Sequence, residues 1–220
     1  MSELKFKRRA STSGKDTSVV VFLHGYGADG ADLLGLAEPL APHLPDTVFI
    51  AVDAPTRSMA NPAGFQWFPI PWIDGSSEAA AAEGLMHSAK LVDAFIDRVL
   101  ADEGLTPDRL VLFGFSQGTM MSLHVAPRRS DPVAGIVAFS GRLMFPEALG
   151  EDALSHPPIL LVHGDADDVV PFAEMQVAGE ALQAAGFQVF GHVMEGTGHG
   201  IAPDGLSVAL AFIHEQLGDR

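Results

Sequence analysis

The 220-residue chain sets 13 Lys and Arg against 28 Asp and Glu, a formal net charge of −15, and is 47% hydrophobic. That is apolar material enough for a sizeable core, while the acidic balance excludes nucleic acid as a partner, since phosphate binding needs clustered cations to displace counterions. The absence of cysteine excludes disulfides, thiolate nucleophiles and Cys-ligated metal sites.

The N-terminal MSELKFKRRASTSGKDTS holds the only basic cluster, Lys5, Lys7, Arg8 and Arg9, and no apolar segment of signal-peptide length. No run approaches the ~18 apolar residues of a membrane helix. The expectation is a cytoplasmic protein with no stable membrane insertion. LKFKRR predicts an antiparallel edge strand. VVVFL (19–23) and TVFIAV (47–52) predict buried strands, and between them FLHGYGADGADLL spells G-x-G-x-x-G at Gly25, Gly27 and Gly30. Residues 53–78 form a long connection with both tryptophans and four prolines, read as an ordered wall or a lid. From 79 to 101, Leu85, Ala89, Val92, Ile96 and Val99 recur at helical spacing, opposite Lys90, Asp93, Asp97 and Arg98.

RLVLFGF (109–115), VAGIVAFSG (133–141), PILLVHG (158–164) and FQVFGHVM (187–194) continue the strands. A helix from near Ala173 ends at Gly186, and a last one follows Pro203 with Leu206, Leu210, Ile213 and Leu217 on its apolar face. Continuous apolar runs alternating with amphipathic helices predict an α/β fold, one domain over residues 1–220, with a mostly parallel sheet covered on both faces.

In such a sheet, ligands bind beyond the carboxyl ends of the strands. Three of those ends carry reactive groups. Gly114-Phe115-Ser116-Gln117-Gly118 matches the G-x-S-x-G nucleophile elbow in strand–turn–helix context; a plain helix cap is the alternative reading. HGDADDVVP (163–171) offers Asp165, Asp167 and Asp168 as the carboxylate that orients a base, with at least two of them left as solvated turn residues. A calcium loop fits poorly here, because the alternating ligands and turn glycine are missing. Gly196-Thr197-Gly198-His199-Gly200 places His199 in glycine-rich backbone free to swing, completing the Ser, Asp, His chain order of α/β-hydrolases. His24 and His163 sit in strand-end turns and read as structural.

The glycine loop has two readings. A dinucleotide site would use Asp53, after the second predicted strand, on a ribose. An acyl-transfer site would instead use backbone N–H groups against a developing oxyanion, with Tyr26 and Gln117 as donors. The second reading also accounts for Ser116, the acid and His199, so it is preferred.

FLHGYGADGADL, GFSQG, HGDADDVVP and GTGHG together resemble the small carboxylesterases grouped with acyl-protein thioesterases, the phospholipase/carboxylesterase family, from about Val19 to the C-terminus. The resemblance implies an α/β-hydrolase fold with minimal or no cap, Ser116 as nucleophile, His199 as base, Asp167 as acid, and no metal or other cofactor. It implies a serine carboxylesterase acting on small-molecule esters of short to medium chain. Acyl-protein thioesterase or lysophospholipase activity is the alternative; a non-catalytic binding protein or an oxidoreductase stands further off. Phe65-Gln66-Trp67-Phe68 falls where the family carries a cleft-lining aromatic segment; Phe65, Trp67, Phe68 and Trp72, with Ile70, are read as one hydrophobic wall for an acyl or aryl group, with anchoring of the loop to the core as the competing role. Thr119 departs from the family's second glycine after GFSQG and predicts altered helix packing. The oligomeric state is left open, a homodimer being one option.

Overall fold

The computed structural model describes residues 3–218. In chain order the strands are β1 (Phe6–Arg9), β2 (Ser18–Leu23), β3 (Thr47–Val52), β4 (Thr56–Arg57), β5 (Phe65–Gln66), β6 (Leu110–Phe115), β7 (Gly135–Phe139), β8 (Ile159–Gly164) and β9 (Val189–Met194). Seven of them form one sheet in the order β1-β3-β2-β6-β7-β8-β9, and β4 and β5 make a small ladder of their own. All neighbours in the large sheet are parallel except β1, which runs antiparallel to β3 as its Lys- and Arg-rich edge sequence leads one to expect.

Alternation along the buried strands feeds two cores. Val19, Val21 and Leu23 face a cluster that takes Leu85, Val92, Ile96 and Val99 from the helix Glu78–Glu103, with Met120 and Leu182 from the helices Gln117–Val125 and Ala173–Ala184. Val20 and Phe22 face the other cluster, covered by Leu33 and Leu40 and by Ala209, Phe212 and Ile213 of the helix Pro203–Leu217. The sheet is therefore covered on both faces, as a parallel sheet requires.

Two sequence expectations change in detail. The stripe of the Glu78–Glu103 helix is wider than its 4-3-4-3 spacing, because Ser88, Leu91 and Phe95 are buried too. FQVFGHVM is not a covered central strand: β9 closes the sheet edge, and Phe190 and Val193 are exposed. Residues 53–78 are ordered, with the β4–β5 ladder and a short helix, Pro71–Asp74, inside them. No helix among the described residues is long and apolar enough to cross a membrane.

On the Gln117–Val125 helix, His124 is only 3% exposed and neither ring nitrogen has a hydrogen-bond partner among the described residues. Burial, helped by the Arg128 charge, pushes its pKa down from 6.5 to about 4. The unfolded chain therefore takes up a proton that the folded chain refuses. The contribution of this site to stability is complete above pH 6.5 and is lost as pH falls through about 4. His124→Leu is expected to flatten the acid limb of a Tm-versus-pH curve in that window. Parallel curves for the two proteins would contradict the assignment.

Candidate active site

β6 ends at Phe115 and a helix begins at Gln117, so the chain must turn sharply at Ser116. It does so with Ser116 at φ 53° and ψ −115°, a conformation costing an L-residue about 1–3 kcal/mol. The flanking glycines make the turn possible. A Cβ on Gly114 would lie 2.5 Å from the Thr119 backbone, and one on Gly118 only 1.8 Å from the Leu23 carbonyl oxygen. The Phe139 carbonyl holds the turn from β7, accepting from Ser116 N–H at 2.9 Å and from the Thr119 hydroxyl at 2.7 Å. Thr119 thus adds a fastening, and it fits because Gly141 carries no Cβ, which would lie 2.4 Å from the Thr119 methyl group.

Of the three aspartates after β8, it is Asp167 that meets His199. Its Oδ2 accepts from His199 Nδ1 at 2.8 Å, and its Oδ1 accepts from the Val169 and Val170 amides at 2.9 Å each. Burial alone would raise this carboxyl; the His199 bond and the Val170 and Val169 amides outweigh burial and hold the pKa below the ordinary aspartate value. A carboxylate has no proton to give, so His199 Nδ1 carries the hydrogen, the tautomer that in a neutral imidazole leaves Nε2 as the acceptor. His163 Nε2 donates to Val170 O at 2.9 Å and lies 3.2 Å from Asp167 Oδ2, so this buried histidine braces the acid. Asp168 is exposed.

The histidine loop is pinned, contrary to the expectation of free-swinging backbone. Asp165 Oδ1 accepts from Gly196 N–H at 2.7 Å, and Ala166 N–H donates to Thr197 O at 3.1 Å. Gly164 permits this contact, since a Cβ there would lie 2.1 Å from Thr197 O. The loop sets the His199 ring against Phe115, centroids 4.9 Å apart, one residue before Ser116. Neither Ser116 Oγ nor His199 Nε2 hydrogen-bonds to another group among the described residues.

The glycine loop reaches the same place. A Cβ on Gly25 would lie 3.2 Å from Ser116 Cβ, so the loop backbone touches the serine. Neither Tyr26 N–H nor Gln117 N–H donates to a group among the described residues. Asp53, the ribose-binding candidate of the dinucleotide reading, instead accepts from Gly30 N–H at 2.9 Å. Gly30 packs on β3, where an added Cβ would meet Ala51 O at 2.9 Å. The acid and the third glycine are thus engaged in packing a helix onto a strand.

The four aromatics divide. Trp67 is 1% exposed, its indole N–H donates to His24 O at 2.9 Å, and its carbonyl accepts from the Ser88 hydroxyl. Phe68 is buried as well. Both side chains belong to the core cluster, so as cleft surface they are a correction to the sequence expectation: their large apolar bodies anchor the segment. Phe65 is half-buried beneath the Arg57 guanidinium, 4.2 Å from its ring centre. Trp72 is 66% exposed.

Sequence reasoning missed the clamp made by the Gln117 side chain, which accepts from Trp67 N–H and donates to Phe68 O at 2.8 Å each. It also missed the bond from the Tyr26 hydroxyl to Asp74 Oδ2 at 3.1 Å. Among the described residues no three His, Asp or Glu side chains gather as a metal site.

The phospholipase/carboxylesterase family model matches residues 7–217. The chain belongs to this family. Esterase YpfH of Escherichia coli (strain K12) is 30% identical to it over 199 residues, 89% of this chain and 81% of that protein. Acyl-protein thioesterase 1 of Gibberella zeae is 28% identical over 219 residues, 93% of each chain. The crystal structure of esterase PE8 superposes with a TM-score of 0.93 at 40% identity, covering 98% of this chain and 100% of that one. This phospholipase/carboxylesterase family member has the α/β-hydrolase fold without a large cap, and it is a hydrolase of the esterase class.

Proposed function

We propose that the enzyme hydrolyses short- to medium-chain carboxylic esters through an acyl-enzyme on Ser116. The observation that carries this reading is the strained Ser116 elbow, whose preceding Phe115 ring lies 4.9 Å from that of His199, a histidine whose Nδ1 is fixed 2.8 Å from the buried Asp167 carboxylate. His199 Nε2 takes the proton of Ser116 as Oγ bonds to the acyl carbon. The carbonyl oxygen becomes an oxyanion held by the Tyr26 and Gln117 N–H groups. The tetrahedral adduct collapses, the C–O bond to the alcohol breaks, and His199 gives the proton to the departing oxygen. Water then repeats the sequence on the acyl-enzyme and releases the acid. Asp167 keeps the tautomer and stabilises the imidazolium.

The same reading treats the chain as one cytoplasmic catalytic domain whose partner is a small ester. A thioester or lysophospholipid would meet the same machinery; the name of the Gibberella zeae relative favours testing the first, and the family's description the second. A panel of nitrophenyl esters, a palmitoyl-peptide thioester and a lysophospholipid decides among them; the proposal expects the highest kcat/KM on the simple esters, and no hydrolysis of any of them would end it.

Trp72 is proposed as the exposed apolar surface that receives the acyl or aryl group. Each methylene it covers adds ~0.8 kcal/mol of binding. Trp72→Ala is therefore expected to leave acetate hydrolysis unchanged and to raise KM about three- to tenfold for octanoate. Equal effects on both esters, or none on octanoate, would assign Trp72 another role.

A further inference from the structure

The two N–H groups assigned above to the oxyanion belong to residues whose side chains are both occupied by the 53–78 segment. The Gln117 carboxamide, fully buried, bridges Trp67 N–H and Phe68 O. The Tyr26 hydroxyl reaches Asp74 Oδ2, which also accepts from Ile70 N–H at 2.9 Å, while Asp74 Oδ1 accepts from Ser76 N–H at 3.0 Å. The main chain repeats the connection. Gly27 N–H donates to Phe65 O and Phe65 N–H to Ala28 O, each at 2.8 Å, and the Asn61 carboxamide donates to Gly27 O at 2.7 Å. Trp67 Nε1–H holds His24 O from the other side. Contact is so close that a Cβ on Gly64 would lie 2.0 Å from Gly27 O. The residues flanking Tyr26 are thus fixed by the segment, and the Tyr26 N–H has no acceptor among the described residues.

We infer that residues 58–74 set the geometry of the oxyanion hole, with the Asp74 carboxylate and the Gln117 carboxamide as its positioning groups. The inference rests on the proposed assignment of the Tyr26 and Gln117 N–H groups. Its consequence is specific. Oxyanion stabilisation depends on donors held at the right distance, and small misplacements cost rate, not ground-state binding. A wall that merely touches the acyl group would act in the opposite way, on the KM of long esters.

The test uses an acetyl ester, too short to need the wall, beside an octanoyl ester. Asp74→Ala removes the Tyr26 tether, and Gln117→Ala removes the other tether while keeping its N–H. Each is expected to lower kcat by about tenfold or more on both esters alike, with KM changed less than about twofold. Binding of a trifluoromethyl ketone, whose serine adduct carries an oxyanion, should weaken in step with kcat/KM. Asp74→Asn, which retains an acceptor oxygen, should recover most of the loss. Tyr26→Phe severs the Asp74 bond from a half-buried position outside the segment; it should match Asp74→Ala even if the buried Gln117→Ala variant folds poorly. Acetyl-ester kcat within about twofold of the unsubstituted enzyme in both Tyr26→Phe and Asp74→Ala, or losses confined to octanoyl KM, would overturn the inference. Failure of the underlying site assignment is separable, since it would appear in the unsubstituted enzyme as fluorophosphonate labelling away from Ser116.

Discussion

Ser116→Ala is expected to lower ester kcat by about 10⁴-fold or more, leaving a residue of catalysis from the oxyanion donors and substrate binding. The substitution removes the only hydroxyl that the β6 elbow lifts onto the sheet rim. It changes little else: Ser116 is 8% exposed, and its hydroxyl makes no hydrogen bond among the described residues. Alanine inherits the same φ of 53°, so the fold keeps the same strain. His199→Ala should lose activity on a comparable scale, and the double variant little more, because nucleophile and base act as one unit. Pre-steady-state and steady-state rates on a nitrophenyl ester check both. A Ser116→Ala rate within about tenfold of the unsubstituted enzyme would remove this serine from the chemistry.

The second large effect separates neighbouring aspartates. Asp167→Asn should reduce kcat by about 10³–10⁴-fold, since a carboxamide facing His199 Nδ1 permits the wrong tautomer and leaves the imidazolium without a counter-charge. Asp168→Asn should stay within about twofold, because that side chain is exposed and holds no partner among the described residues. Asp165→Asn belongs between them. Its carboxylate fastens Gly196 and so the loop that carries His199, but among the described residues it makes no hydrogen bond to the His199 ring or to Ser116. The order Asp167, Asp165, Asp168 in kcat loss is the expected outcome of a side-by-side assay. An equal or larger loss for Asp168 would transfer the acid role to that residue.

Much of the fold was legible because buried parallel strands announce themselves as apolar runs, and TVFIAV became β3 residue for residue. The antiparallel β1 edge was visible in its charge. Position within the sheet was not: β9 reads like its neighbours in composition, and only the strand order makes it an edge. At the site, the elbow and the histidine loop carry local spacing that chain geometry demands, so motifs could find them. The supports could not be found that way. Gln117 meets Trp67 from 50 residues away and Tyr26 meets Asp74 across 48, and no periodicity records a tertiary hydrogen bond. Glycine content misled in one place. Around His199 the loop glycines have open space about them, yet the loop is pinned, by the Asp165 carboxylate on Gly196 and by the close approach that Gly164 permits to Thr197. Trp67 misled similarly, for an aromatic in a loop can be cleft surface or core anchor, and burial alone decides.

Peptide mapping after a fluorophosphonate reaction bears most directly on the account, because such probes bond only to a hydroxyl activated by a base and served by an oxyanion hole. One adduct per chain, on the peptide bearing Ser116, with hydrolysis abolished in proportion to labelling, is the predicted result. An adduct on Ser140, Ser122 or any other serine, or full labelling with ester turnover intact, would contradict it.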